Sequence, residues 1–518
     1  MKHLIGTDLL IIGGGLAGME AALAASQAHP GLNIILLSKK PVGLSGASLV
    51  AMSVHRYAPA DPELRESYRR DFLASGHGLS DPALVDVLTR EGDEALRRRA
   101  GWGLPLEFKY RENARGERFP YLACCDPKYG RNLTEPMGKL VAARENIRLL
   151  EGYMAVELLR EGQRARGVLA EKDGRLFAIE AKAVVLACGG GGCVYKNTSN
   201  TSDITGDGYG LALRAGLALR DMEFAQFYPY RIYSPGYRNI FPDVFEHGAV
   251  FLNEKGQRFM EGYPKKELEN RDVLAREMFG QKEVIFDLSH CDMEYLRKEC
   301  AGIEELRQKH PGRPMLVKPV AHFMMGGVPV SPDCATEIEG FYCCGEVCGG
   351  LHGANRLAGS ALTETAVFGH RAGLSAAEFC RNASPFSAGL PTEQLAAEQL
   401  ENWPVPLPGK DDPGPITRKI REIMWEKASL FRARGAMEEA GRQLKELEGL
   451  LEEQRPASLR RWLEARNILT TARVVLAAAL IRQESRGAHY RQDYPETSAE
   501  WQGSIYISTA GNYFIPAR

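Results

Sequence analysis

Gly13, Gly15 and Gly18 stand at the spacing G-x-G-x-x-G, a pattern suited to holding a pyrophosphate. The first glycine permits a tight turn and the second lets backbone approach the phosphates. The third lets the following helix pack on its strand. That helix then offers N–H donors and partial positive charge at its N-terminus. Gly14, Leu16 and Ala17 complete the candidate cofactor loop. The spacing alone is weak evidence, and its weight comes from its flanks. Residues 8–12 are a short apolar run, 19–28 read as helix and 33–38 as a second strand, which makes a βαβ unit. An acidic residue for the ribose hydroxyls is absent from the end of the second strand, where Ser38 and Lys39 stand instead. That argues against a free-NAD enzyme and suits FAD bound along its whole length.

Other elements must complete such a site. A strand over 183–187 ends at Ala187, followed by Cys188 and four glycines from Gly189, which let backbone pass close to a ligand. From about residue 225 to 321 short strands, loops and helices mix, and 271–279 is the clearest helix. Glycine-rich sequence returns from Gly326 to Gly373. The simplest reading is an α/β fold, a Rossmann-like FAD-binding domain (1–224 and 322–395) interrupted by an α+β domain (225–321). The stretch 383–414 is proline-rich and aperiodic and reads as linker, set at 396–415. Residues 416–518 carry long helical periods and form a C-terminal helical domain.

Composition excludes several classes of function. The 65 basic and 66 acidic side chains nearly cancel, so charge gives no reason to expect nucleic acid or an anionic membrane as partner. No apolar stretch reaches the roughly 20 residues of a bilayer span. Asp8 and the glycines after it interrupt the N-terminal apolar segment, which is not expected of a secretory leader. The expected place is the cytoplasm, or the inner face of the membrane reached through a partner. Eleven cysteines include two adjacent pairs and no C-x-x-C, so reduced structural thiols are expected and no metal site is assigned.

Longer motifs make the chain similar to one family. They include Leu37-Ser38-Lys39, Thr205-Gly206-Asp207-Gly208, Met222-Glu223-Phe224 and Gly256-Gln257-Arg258-Phe259-Met260. Asn270-Arg271-Asp272-Val273, Ala321-His322-Phe323-Met324-Met325-Gly326-Gly327 and Cys344-Gly345-Glu346 follow. His352-Gly353-Ala354-Asn355-Arg356-Leu357 and Glu484-Ser485-Arg486-Gly487-Ala488-His489 complete the series. In this order, over nearly the whole chain, they resemble the flavoprotein subunit of the succinate dehydrogenase/fumarate reductase family, which also contains L-aspartate oxidase. The resemblance implies that Asp207, Glu346 and the Ala361-Leu362 backbone contact FAD, and that 225–321 is a cap over the flavin. It implies hydride transfer between flavin N5 and a C–C bond next to a carboxylate, and electrons exchanged with an iron–sulfur subunit. His322 and Arg356 match positions that hold a substrate carboxylate, and Arg271 matches a proton-shuttling arginine. Arginine suits such work because its planar fork grips carboxylate and stays charged. His352, beside Arg356, is added as a pocket residue, and Arg486 is read as a structural ion-pair partner.

Three departures qualify the resemblance. In Ser45-Gly46-Ala47, Gly46 occupies the place of the histidine that anchors FAD covalently, so noncovalent FAD is expected. Tyr228 replaces a substrate-binding histidine in Gln226-Phe227-Tyr228-Pro229, and so offers a hydrogen bond without a charge. Phe241-Pro242 falls where the family carries a Thr-Glu pair. The substrate is therefore expected to be fumarate, succinate or a related small acid whose second end is held differently. L-aspartate oxidase is the alternative. A third reading, from another class, is an electron-transferring subunit with no turnover of its own.

Overall fold

The computed structural model describes residues 4–112, 118–124, 130–383, 391–401 and 406–516. The glycine loop joins strand β1, Leu4–Ile12, to helix α1, Leu16–Ala28, and strand β2, Ile34–Ser38, follows. β1 is hydrogen-bonded in parallel to β2, with Leu9 opposite Ile34, and on its other side to Arg175–Leu186, with Leu10 opposite Val184. Leu9 to Ile12 are all buried, as expected of a parallel strand covered on both faces. The seven-stranded sheet runs Ile147–Glu151, β2, β1, Arg175–Leu186, Arg164–Lys172 and Met154–Glu161, with Phe341–Cys343 also paired to Arg175–Leu186. Chain from the second glycine-rich stretch thus rejoins the first sheet. The helix Ser360–Asn382 crosses α1 closely enough that a Cβ on Gly373 would strike the Ala21 backbone.

The interrupting segment builds a second sheet of five antiparallel strands, ordered Arg238–Asn239, Ala225–Ser234, Met315–Met324, Val284–Asp287 and Val250–Asn253. It has its own core, in which Tyr228, Tyr230, Phe245, Phe251 and Phe286 pack together. The helix Arg271–Phe279 lies against the two central strands.

Three helices, Gly414–Ala428, Arg434–Glu452 and Leu459–Ile481, form the C-terminal region. Their apolar faces join the core under the first sheet, where Ile420, Leu469 and Val475 share one cluster with Leu10, Ile12 and Val184. The chain ends in a hairpin, Gly503–Ser508 and Gly511–Pro516, whose first strand pairs with Leu219–Arg220. The expected linker is interrupted by a helix, Thr392–Glu401, whose Leu395 and Ala396 pack on Leu159, Leu169 and Ala178. The prolines around it masked ten residues free of helix breakers. Much of the rest of that linker reading, 384–390 and 402–405, lies outside the described residues. Among the described residues no helix is long and apolar enough to cross a membrane, and no cluster of His, Cys, Asp or Glu is arranged to hold a metal.

Candidate active site

One continuous cavity of about 950 Å³ opens between the two sheets. Its first half is made largely of backbone. Gly13, Gly14, Gly15, Leu16 and Ala17 line it at the start of α1, with Ser38 and Lys39 at the end of β2. Gly15 caps α1 with no side-chain hydrogen bond of its own; Leu16 N–H has a long contact to Ser48 Oγ at 3.4 Å, and the start of the helix lines the cavity. Gly13 has φ +121°, and a Cβ there would collide with the Ala187 carbonyl. A Cβ on Gly15 would meet only Ser48 Oγ, at 3.6 Å, which leaves room on that side for a close ligand. Gly18 does not line the cavity; its missing side chain makes room for the Gly13 carbonyl, so it positions the loop without touching a ligand. Ser45, Gly46, Ala187, Gly189, Asp207, Glu346, Ala361 and Leu362 line the same cavity.

Three ionisable groups stand in this half. Lys39 Nζ lies 2.7 Å from Asp207 Oδ2 and 2.9 Å from Glu464 Oε1. Burial alone would lower its pKa, but those carboxylates hold it above the ordinary lysine range. Asp207 also accepts from Thr205 Oγ1 at 2.7 Å and Asn467 Nδ2 at 2.9 Å, so its carboxylate is largely occupied by protein. Glu346 is buried, accepts the Met324 N–H at 3.1 Å, and is pushed up to about 7, mainly by burial.

The second half is made of side chains. Arg271 begins its helix and Arg356 comes from the loop before Ser360–Asn382; both point at Gln226, the second residue of Ala225–Ser234. Arg356 Nη2 donates to Gln226 Oε1 at 2.9 Å, and Arg271 Nη1 reaches the same oxygen at 3.5 Å. Arg356 lies over the ring of Phe323 and Arg271 over that of Tyr228. Among the described residues neither guanidinium forms an ion pair, and Arg356 Nε is buried with no partner. Burial and the neighbouring Arg271 lower the Arg356 pKa to about 9. His322, near the end of Met315–Met324, faces the same space with Nδ1 2.8 Å from Ser199 Oγ. Burial and then Arg356 and Arg271 push its pKa well below the ordinary range, so the imidazole is neutral. The Ala321 carbonyl already accepts from Ser199 N–H and Thr198 Oγ1. The Ser199 hydroxyl also lies 3.3 Å from that carbonyl, farther than the 2.8 Å to Nδ1; with the carbonyl already occupied it is assigned as donor to Nδ1, which leaves Nε2–H as the free donor.

Two residues expected in the substrate pocket stand behind it. Tyr228 is fully buried, its hydroxyl donating to Ile240 O at 2.8 Å, and its ring stacks on His322 at 4.9 Å. Tyr228 therefore backs His322 and Arg271, and Tyr230, two residues on, reaches the cavity. His352 is buried with Nε2 3.0 Å from Glu364 Oε2, between Phe72 and Phe323, and does not line the cavity. Phe241, Pro242 and Asp243 do line it, from the cap side. Gln226, Ser199, Asn200 and Asn355 also line the cavity and were not singled out from sequence. Short neutral side chains carry no charge pattern to betray them.

Comparison with known proteins gives this geometry a context. A model of the FAD binding domain matches residues 8–362, and one of the fumarate reductase flavoprotein C-terminus matches 417–511. The chain belongs to the fumarate reductase and succinate dehydrogenase flavoprotein family. It is thus an FAD-dependent oxidoreductase by family. It is 32% identical to a subunit of the fumarate reductase (CoM/CoB) of Methanothermobacter marburgensis, over 98% of each chain. It is 34% identical to an L-aspartate oxidase of Caulobacter vibrioides, over 94% of this chain and 93% of that one. A quinol fumarate reductase chain of E. coli superposes with a TM-score of 0.89 at 27% identity, covering 99% of this chain and 97% of that one. The glycine cradle, the start of α1 on the cavity wall and the volume of the cavity fit FAD.

Proposed function

We propose that the protein transfers a hydride between FAD and a C–C bond next to a carboxylate in a small acid. One observation carries this reading. Buried Arg356 and half-buried Arg271, neither paired with a carboxylate among the described residues, converge on one neutral oxygen beside a neutral histidine. A buried cation is costly unless paired, so this pocket is built to be completed by an anion.

FAD, held by the loop from Gly13 to Ala17 with Glu346 and Ala361, supplies the hydride acceptor or donor. Arg356 and the His322 Nε2–H hold the substrate carboxylate and stabilise negative charge that develops beside it. Arg271 moves the proton at the neighbouring carbon. Phe241, Pro242 and Tyr230 shape the far end with rings and aliphatic surface in place of a carboxylate grip. We place the FAD noncovalently, because Gly46 has no side chain to bond it. The electron partner is taken to be an iron–sulfur protein, in keeping with relatives named as subunits.

A screen of saturated and α,β-unsaturated acids on the purified protein tests this reading. Reduced viologen serves as donor and dichlorophenol-indophenol as acceptor. Turnover of at least one carboxylate with an adjacent C–C bond is expected, abolished in Arg271→Ala, with fumarate handled poorly. No turnover of any such acid, or turnover untouched by Arg271→Ala, would remove the proposal. A second reading, oxidation of L-aspartate, is supported by Asp243 on the cap wall, a suitable neighbour for an ammonium group, and by relatives of that name. Oxygen consumption with aspartate separates the two.

A further inference from the structure

A chain of amides with only one consistent polarity runs behind the two arginines. Asp272 is a carboxylate that can only accept, and it accepts Asn355 Nδ2 at 3.3 Å. Its other oxygen is occupied by Arg276 at 3.1 Å. That contact turns Asn355 so that its Oδ1 faces Gln226, where it accepts Nε2 at 2.9 Å. The second Nε2 hydrogen goes to the Arg356 carbonyl, also at 2.9 Å. With both amide hydrogens committed, Gln226 must present Oε1 to the arginines. Gln226 is 2% exposed, and its oxygen accepts from both guanidiniums.

We propose that Gln226 is the positioning and specificity-determining residue of this pocket. It orients both arginines through one oxygen while leaving their charge free, so that the site selects an anion over a neutral ligand of the same shape. The inference rests on the reading of Arg271 and Arg356 as the substrate's anion grip. The physical point is the difference between an amide and a carboxylate at one position. An amide oxygen aims the guanidiniums without neutralising them. A carboxylate there would act as a built-in substrate anion, held by both cations and repelling any second one. The relay also crosses between domains. Asp272 and Arg271 are neighbours on the cap helix, Gln226 begins the cap strand, and Asn355 and Arg356 belong to the FAD-binding side. The arginines are thus aligned only when the two sides meet.

The test uses the full-length, FAD-loaded protein and two probes of one shape and different charge, propionate and propionamide, titrated by ligand-observed NMR. The wild type is expected to prefer propionate at least ten-fold. Gln226→Met, uncharged and of similar length, should weaken both ligands several-fold and keep the preference. Gln226→Glu should bring the preference down to about one, through loss of propionate binding alone. A purely structural role would lower both ligands together in either variant. Preference retained in Gln226→Glu, or wild-type affinities in Gln226→Met, would overturn the proposal. If the wild type itself shows no preference for propionate, the carboxylate reading of the pocket fails, and this inference fails with it.

Discussion

Two groups of arginines in the molecule are solved in opposite ways. Around the C-terminal region, Arg482 donates to Glu223 and Glu484, Arg486 makes a forked pair with Glu484, and Arg491 makes one with Asp493. Arg482 is fully buried, yet Glu223 and Asp221 outweigh the cost of burial and hold its pKa above the ordinary value. Arg356 is 6% exposed and has no such partner, and its pKa falls to about 9. Similar burial with opposite shifts distinguishes Arg482, held by carboxylates, from Arg356, which has no carboxylate partner among the described residues. Unpaired buried charge is a burden that folding alone does not explain.

The comparison breaks first, and by the largest margin, at Arg482. Arg482→Ala leaves Glu223 buried without its cation, while Glu484 keeps Arg486, and should destabilise the protein by about 3–5 kcal/mol in denaturant melts. A loss below about 1 kcal/mol would remove the distinction between the two groups. Arg356→Met should do the reverse. Its melting temperature should hold or rise, while kcat/KM on an accepted acid falls about 100-fold, close to 3 kcal/mol. A clear drop in stability instead would place Arg356 with the structural group.

Glu346 offers a test of the opposite sign of charge. Its folded pKa lies near 7, raised from an unfolded value near 4.5 by burial, so the folded protein binds this proton more tightly. Stability of the flavin-free protein should therefore be highest below about pH 4.5 as far as this group decides it. It should fall by ~3 kcal/mol as pH rises from about 4.5 through about 7. Glu346→Gln should flatten that slope in melts between pH 5 and 8. The smallest effect is expected at Ser199. Ser199→Ala removes the hydroxyl that fixes the His322 tautomer and should lower kcat/KM about ten-fold, with unchanged flavin content. An unaltered rate would mean that the ring holds its own orientation, stacked on Tyr228.

These two groups also mark the limit of what the residues alone reveal. The glycine loop was readable because its work is local: Gly13, Gly15 and Gly18 act through backbone within six residues, so spacing encodes geometry. Arg271, His322 and Arg356 come from three separate segments, and only the family resemblance brought them together. Tyr228 and His352 lie within the right motifs but turn into the core, because position in a motif does not fix where a side chain points. Gln226 stood in plain view beside Tyr228, yet a neutral amide draws attention only once its partners are seen. The helix Thr392–Glu401 was lost behind its flanking prolines for a similar reason, since Leu395 and Ala396 declare themselves only against the strands they cover.

Lys39 gives the C-terminal helices a stake in cofactor retention. Its ammonium is shared between Asp207 on the cavity wall and Glu464 on Leu459–Ile481, while Asn467 of the same helix steadies Asp207. Whatever binding energy FAD supplies at that wall is thereby shared with helix docking, and reciprocity requires that loosening the helix weaken the cofactor by the same factor. Damage some 450 residues downstream of the glycine loop would then first be seen as loss of yellow colour.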